Sequence, residues 1–153
     1  MLPIATLFAF LSCPVPAPGA IAGHEADFYV CAEETAQCGP DGYLVGYGQK
    51  YAERFFRHTR PWMSRAGKRW IDDVLVCLQV TLRDRIDETS SCEEIRTTAY
   101  DSHPQCYVDA GFCRLPWSDW LAVVATVDGA DWLSRDAQRQ VLVTARTCLT
   151  QPW

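Results

Sequence analysis

Asparagine is missing from all 153 residues, which removes any N-glycosylation acceptor whatever the compartment. Lysine is nearly missing too: of the fourteen Lys and Arg residues only Lys50 and Lys68 are lysine, and no basic block forms anywhere. With a formal net charge of −5, the chain offers no electrostatic footprint for nucleic acid or for an anionic membrane surface. No apolar run is long enough to span a bilayer as a helix, so no membrane span is expected. The sequence lacks a CxxC pair, a Cys/His cluster, a G-x-S-x-G elbow, a phosphate-binding glycine loop and an H-E-x-x-H helix, so no metal site and no cofactor are expected. Hairpin signals and internal repeats are absent as well, which excludes a meander or a solenoid.

What the chain does have is cysteine. Eight cysteines in a domain of this size, without metal-ligand spacing, argue for disulfides and hence for an oxidising compartment. The amino terminus agrees: Leu2 to Cys13 is mostly apolar and short, Pro14, Pro16 and Pro18 then break it, and Ala20-Ile21-Ala22 forms a small-x-small site. Residues 1–22 therefore read as a signal peptide cut before Gly23, leaving a single domain at 23–153 of a secreted, extracellular protein. On that reading Cys13 leaves with the leader and seven cysteines remain.

The strongest helical signal lies between Arg65 and Asp84. Ala66, Trp70, Val74, Leu78 and Leu82 recur every four residues, with Ile71, Leu75 and Cys77 widening the stripe. This is an amphipathic helix of about five turns, capped by Ser64, with Trp70, Val74, Leu75 and Leu78 central to the core. Ahead of it, Cys38-Gly39-Pro40-Asp41-Gly42 reads as a turn in which Asp41 can cap a helix over Tyr43–Phe56. Gly46 and Gly48 inside that helix imply that another backbone or a bridge approaches closely. Trp62 is expected to pack under the connector at Pro61. Downstream, Ser91-Cys92-Glu93-Glu94 has the capping-box form and opens a helix through Ile95 and Ala99. Pro104 suits the first turn of a new helix carrying Cys106, Tyr107 and Val108. Ser118 caps the apolar run Trp120–Val127, Asp128–Asp131 turns the chain, and Ser134 caps a last helix with Val141, Leu142, Ala145 and Cys148 inward. The expected fold class is all-α, a small disulfide-stapled bundle of five to six helices.

One stretch carries a chemical suggestion. His103-Pro104-Gln105-Cys106-Tyr107 resembles the His-Asp-x-Cys-Tyr helix of secreted phospholipases A2, and Gly39 to Gly48 resembles their calcium loop. The residue that would hold calcium beside the histidine is Pro104 here, so a hydrolase relying on His103 stands as the alternative function, and an enzyme is the less favoured class. His58, beside Arg57 and Arg60, reads as a solvated loop residue, and Asp72-Asp73 as a solvated helix face.

A second resemblance covers more of the chain, roughly residues 31–148. Cys38-Gly39-Pro40-Asp41-Gly42 before an aromatic helix, Gly67 before a helix with Leu75, Cys77 and Leu78, then Cys92, Ile95, Ala99, Cys106-Tyr107, Cys113 and Cys148 are similar to the stanniocalcins, a family of secreted helical hormones. The resemblance implies a non-enzymatic binding or signalling protein with a protein partner of unknown identity. It also implies the pairs Cys38–Cys92, Cys77–Cys106 and Cys113–Cys148. The family's partner for Cys31 falls at position 52, which is Ala52 here, so Cys31 is expected as a free thiol, available for a disulfide-linked homodimer.

Overall fold

The computed structural model describes residues 9–151, and all regular structure within them is helical. Helix α1 is Asp27–Ala36. A second helical stretch, α2, spans 44–59 as a regular turn, Lys50–Arg54, between two wider π turns, Leu44–Gln49 and Phe55–Thr59. Then come α3 (Arg65–Arg85), α4 (Cys92–Asp109), α5 (Trp117–Thr126), a single turn α6 (Gly129–Trp132) and α7 (Arg135–Thr150). The expected turn at Asp128–Asp131 thus contains a short helix of its own.

The antiparallel pair α3 and α4 forms the centre. Trp70, Ile71, Val74, Leu75, Leu78 and Leu82 are all buried, as the four-residue recurrence requires. Ser64 caps α3 by accepting from the Gly67 N–H at 3.0 Å. Ser91 and Glu94 form the full capping box of α4, at 3.1 and 2.6 Å. Ser134 caps α7 through the Ala137 N–H at 3.1 Å. The glycines of α2 face close neighbours: a Cβ on Gly46 would lie 2.7 Å from the Pro40 carbonyl oxygen, and one on Gly48 2.6 Å from the Tyr29 ring. The approaching groups are a backbone and an aromatic ring, not a bridge.

Several local expectations give way to tertiary structure. The two helices expected on either side of Ser102 are one: α4 runs through Pro104 without interruption. Its missing N–H removes only one rung, and packing between α3 and α7 holds the axis across the gap. Neither Asp41 nor Ser118 caps a helix; α2 starts from Tyr43, and α5 starts from Pro116 with no side-chain cap. Instead, Asp119 of α5 is buried and accepts from the backbone N–H of Ser64 at 3.0 Å and from its hydroxyl at 2.5 Å. Trp62 is not packed under the connector but 88% exposed. On α7 the inward row is Ala137, Thr144 and Cys148, while Leu142 is 71% exposed and Val141 half-exposed.

Four disulfides staple this frame: Cys13–Cys31, Cys38–Cys92, Cys77–Cys106 and Cys113–Cys148. The last three are the pairs implied by the stanniocalcin resemblance. The free thiol expected at Cys31 is corrected: Cys31 is bonded to Cys13, and no cysteine is left unpaired. A homodimer bridged through Cys31 therefore has no thiol to form it in this chain. The cause is that residues 9–22 contribute side chains to the core. Phe10, Cys13 and Ile21 are buried, the turn Pro18–Ala20 lies on α3, and the Ala9 N–H donates to Glu88 at 2.7 Å. The start of the expected leader, residues 1–8, lies outside the described residues. A cut before Gly23 would take Phe10, Cys13 and Ile21 out of the core and release one thiol. The chain described here should accordingly show no titratable thiol without reductant, and Cys13→Ser should expose one at Cys31. A thiol count of one in the unmutated, Cys13-containing chain would refute the Cys13–Cys31 bond.

Candidate functional site: an apolar groove over a buried histidine

The helices α5 and α7 are supported by different parts of the fold. α7 lies along α4, whereas α5 lies on the 55–59 turn of α2. Polar contacts fix the α5–α6 corner to α2. Thr59 and Thr126 hydroxyls meet at 2.6 Å, and Arg54 donates to the Thr126 carbonyl at 3.2 Å and to Asp128 at 2.6 Å. Lys50 pairs with Asp128 at 2.8 Å and Asp131 at 3.1 Å, and Tyr51 bonds Asp131. Asp128, first, and then Asp131 hold the Lys50 ammonium well above its ordinary pKa. The Cys113–Cys148 bridge ties the far end of α7 to the loop before α5.

Held apart in this way, the two helices leave a groove of about 580 Å³ between them. That falls within the ~300–1,000 Å³ typical of small-molecule sites. Trp120, Val124 and Val127 form one wall and Val141, Ala145 and Leu149 the other. The floor is aromatic. Phe112 stacks on Trp120 at 5.7 Å between centroids, and Tyr107 meets Phe112 at 5.6 Å and His103 at 5.8 Å. The indole N–H groups of Trp120 and Trp132 donate to the carbonyls of Phe112 and Val124, at 2.9 and 2.8 Å, which fixes both rings. Among the described residues no Asp, Glu, Lys or Arg lines the groove.

His103, the sequence's catalytic candidate, sits at this floor and is buried. Its Nδ1 lies 2.9 Å from the Gln140 amide oxygen, and its Nε2 lies 2.9 Å from the Tyr43 hydroxyl. With a carbonyl oxygen facing Nδ1, the ring carries its proton there, and Nε2 accepts from Tyr43. Burial pushes the imidazole down to about 4, against the weaker opposing effect of the Gln140 bond, so the ring is neutral at physiological pH. Burial likewise pushes the Tyr107 hydroxyl up to about 12 and Tyr43 and Tyr47 well above their ordinary range. The floor therefore consists of neutral polar groups.

A general base needs a free lone pair aimed at a water and, for a histidine, an acceptor orienting its other nitrogen. Here the Nε2 lone pair is occupied by Tyr43 and the orienting group is an amide. The stretch Gly39–Gly48, which resembles a calcium loop, is a turn followed by the first wide turns of α2, and the Gly39 N–H donates to Glu33 at 2.6 Å. Among the described residues no three His, Cys, Asp or Glu side chains cluster as a metal site. His58 is exposed on α2, and Asp72 is paired with Arg60 through two bonds of 2.7 and 2.8 Å.

Sequence reasoning singled out His103 but not the groove above it. The available signal was the run Trp120–Val127, apolar on more sides than one core contact can cover.

The pKa of His103 makes the burial measurable. Unfolded, the ring titrates near ~6.5; folded, at about 4. The unfolded chain thus binds more protons between those values, and stability falls as pH drops through that window, while above pH ~6.5 the contribution is fully present. From pH ~7 to pH ~4 the wild type should lose about 3 kcal/mol of unfolding free energy relative to His103→Gln. A pH-independent difference would show that the ring is solvated.

No family model, no curated protein and no solved structure matches the chain.

Proposed function

We propose that this chain is a secreted, non-enzymatic binding protein of stanniocalcin-like character that receives its ligand in the groove between α5 and α7. The observation that carries this reading is the groove itself: an open apolar cleft on a frame held by four disulfides. Folded proteins rarely leave contiguous apolar surface uncovered unless something binds there. Leu149, a wall residue, is 84% exposed, so the apolar surface of the groove is open to solvent. The disulfides suit an oxidising compartment, and no helix among the described residues is long and apolar enough to cross a membrane.

An environment-sensitive apolar dye should bind the native protein saturably at one site. Ala145→Phe, which places a ring in the groove, should abolish that binding while leaving the helical circular dichroism unchanged. Non-saturable binding, or binding indifferent to Ala145→Phe, would overturn the reading. Calcium-dependent phospholipid hydrolysis that vanishes in His103→Ala would replace it with the hydrolase alternative.

A further inference from the structure

Resting on the binding reading above, we infer that the occupant of the groove is a neutral lipophile carrying one hydrogen-bond acceptor, such as a long-chain ester, ketone or alcohol. Its acceptor would lie at the His103 end and its apolar body between α5 and α7. Two features of the lining define this chemistry: what it lacks and what it leaves unpaired.

Among the described residues the lining carries no charge of either sign. An ionised carboxylate or ammonium seated there would lose its hydration without gaining a counter-ion, a cost of several kcal/mol. Fatty-acid anions, phosphate headgroups and quaternary amines are thereby disfavoured. The apolar walls supply the driving force for a hydrocarbon body, and the aromatic floor supplies flat contact surface for it.

The floor also holds donors without partners. The Gln140 amide oxygen is committed to His103, which leaves its Nε2 as a buried donor with no hydrogen-bond partner. Tyr47 and Tyr107 line the same floor, and neither hydroxyl has a hydrogen-bond partner among the described residues. With the Gln140 carbonyl facing His103 Nδ1, the ring carries its proton there and Nε2 accepts from Tyr43, which leaves the Gln140 NH₂ outside the Tyr43–His103–Gln140 chain. An acceptor on the ligand would satisfy one or more of these donors.

The same donors argue against the other natural occupant, a second copy of this chain. Leu142 and Leu149 are exposed on α7, and a partner's leucine could fill an apolar cleft. It would, however, seal the Tyr47 and Tyr107 hydroxyls away from water without giving them an acceptor, and each buried unsatisfied group costs about 1–3 kcal/mol. A lipophile with an acceptor covers the same apolar surface and pairs the donors as well.

The test is competition against the groove-bound dye, using the full chain with its disulfides intact. The competitors are a long-chain methyl ester, the matching alkane, the ionised fatty acid above its pKa, and the matching quaternary ammonium. The ester should displace the dye about tenfold more tightly than the alkane, the difference made by one satisfied hydrogen bond, and both ions should compete more weakly than the alkane. Gln140→Leu, or independently Tyr47→Phe, should reduce the ester-over-alkane preference. Light scattering should show a monomer at dye-binding concentrations. Equal displacement by ester and alkane, stronger displacement by either ion, or a dimer that excludes the dye would overturn the assignment. Saturable dye binding lost in Ala145→Phe but without ester preference would sink the ligand class alone. Absence of groove-dependent dye binding would sink the binding reading beneath it.

Discussion

Replacing Trp70 by alanine is expected to lower the unfolding free energy by about 3–5 kcal/mol, the range for an aromatic residue lost from a packed core. Trp70 is 2% exposed at the crossing of α3 and α4. Its indole N–H donates to the Tyr107 carbonyl at 3.1 Å, across the crossing. Its ring meets Tyr107 edge-on at 5.2 Å and Phe112 at 5.4 Å. Three contributions are therefore lost together: apolar burial, two aromatic contacts and a partner for a carbonyl. Urea unfolding of the variant should show them as a lower midpoint at unchanged slope, and thermal melting as a fall of roughly 10 °C. Trp70→Phe separates the causes: it keeps most of the ring volume and loses the N–H, so it should cost about 1–2 kcal/mol. A loss below ~1 kcal/mol in Trp70→Ala would mean that the crossing is not the structural centre. Because Tyr107 and Phe112 also form the groove floor, Trp70→Ala should weaken dye binding as well, although Trp70 does not line the groove.

Removing the Cys38–Cys92 bridge as a double serine variant is expected to cost about 4 kcal/mol, the chain-entropy figure for its 54-residue separation. This bridge fastens the turn before α2 to the first residue of α4, beside the Ser91 capping box. The other bridges close shorter loops, with separations of 35, 29 and 18 residues for Cys113–Cys148, Cys77–Cys106 and Cys13–Cys31. If release of loop-closure entropy dominates, the four double variants should rank in that order, ending at about 3 kcal/mol for Cys13–Cys31. Equilibrium unfolding of the oxidised proteins measures the series. A larger loss at Cys77–Cys106 than at Cys38–Cys92 would show that native packing between α3 and α4, not the unfolded chain, sets the contribution.

The sequence by itself determined what local spacing can determine. The recurrence of Trp70, Val74 and Leu78 every four residues places them on one face of a helix whatever lies opposite, and all three are buried. Ser64, Ser91 and Ser134 cap helices because the cap bond spans only three residues. Gly46 and Gly48 signalled close neighbours because their propensity cost is local and needs compensation. Tertiary structure decided everything that depends on which surfaces meet. The helix α4 continues through Pro104 because α3 and α7 support both sides of it, and a local reading sees only the missing N–H. Cys31 is bonded to Cys13 because Phe10, Cys13 and Ile21 are buried in the core and the turn Pro18–Ala20 lies on α3. Trp62 and Leu142 face outward because the elements that might have covered them pack elsewhere. The groove exists because α5 docks on α2 while α7 docks on α4, and no periodicity within either helix records the gap between them. His103 was visible as a chemical residue; its neutrality comes from burial, and its hydrogen-bond partners Tyr43 and Gln140 lie 60 and 37 residues away in the chain.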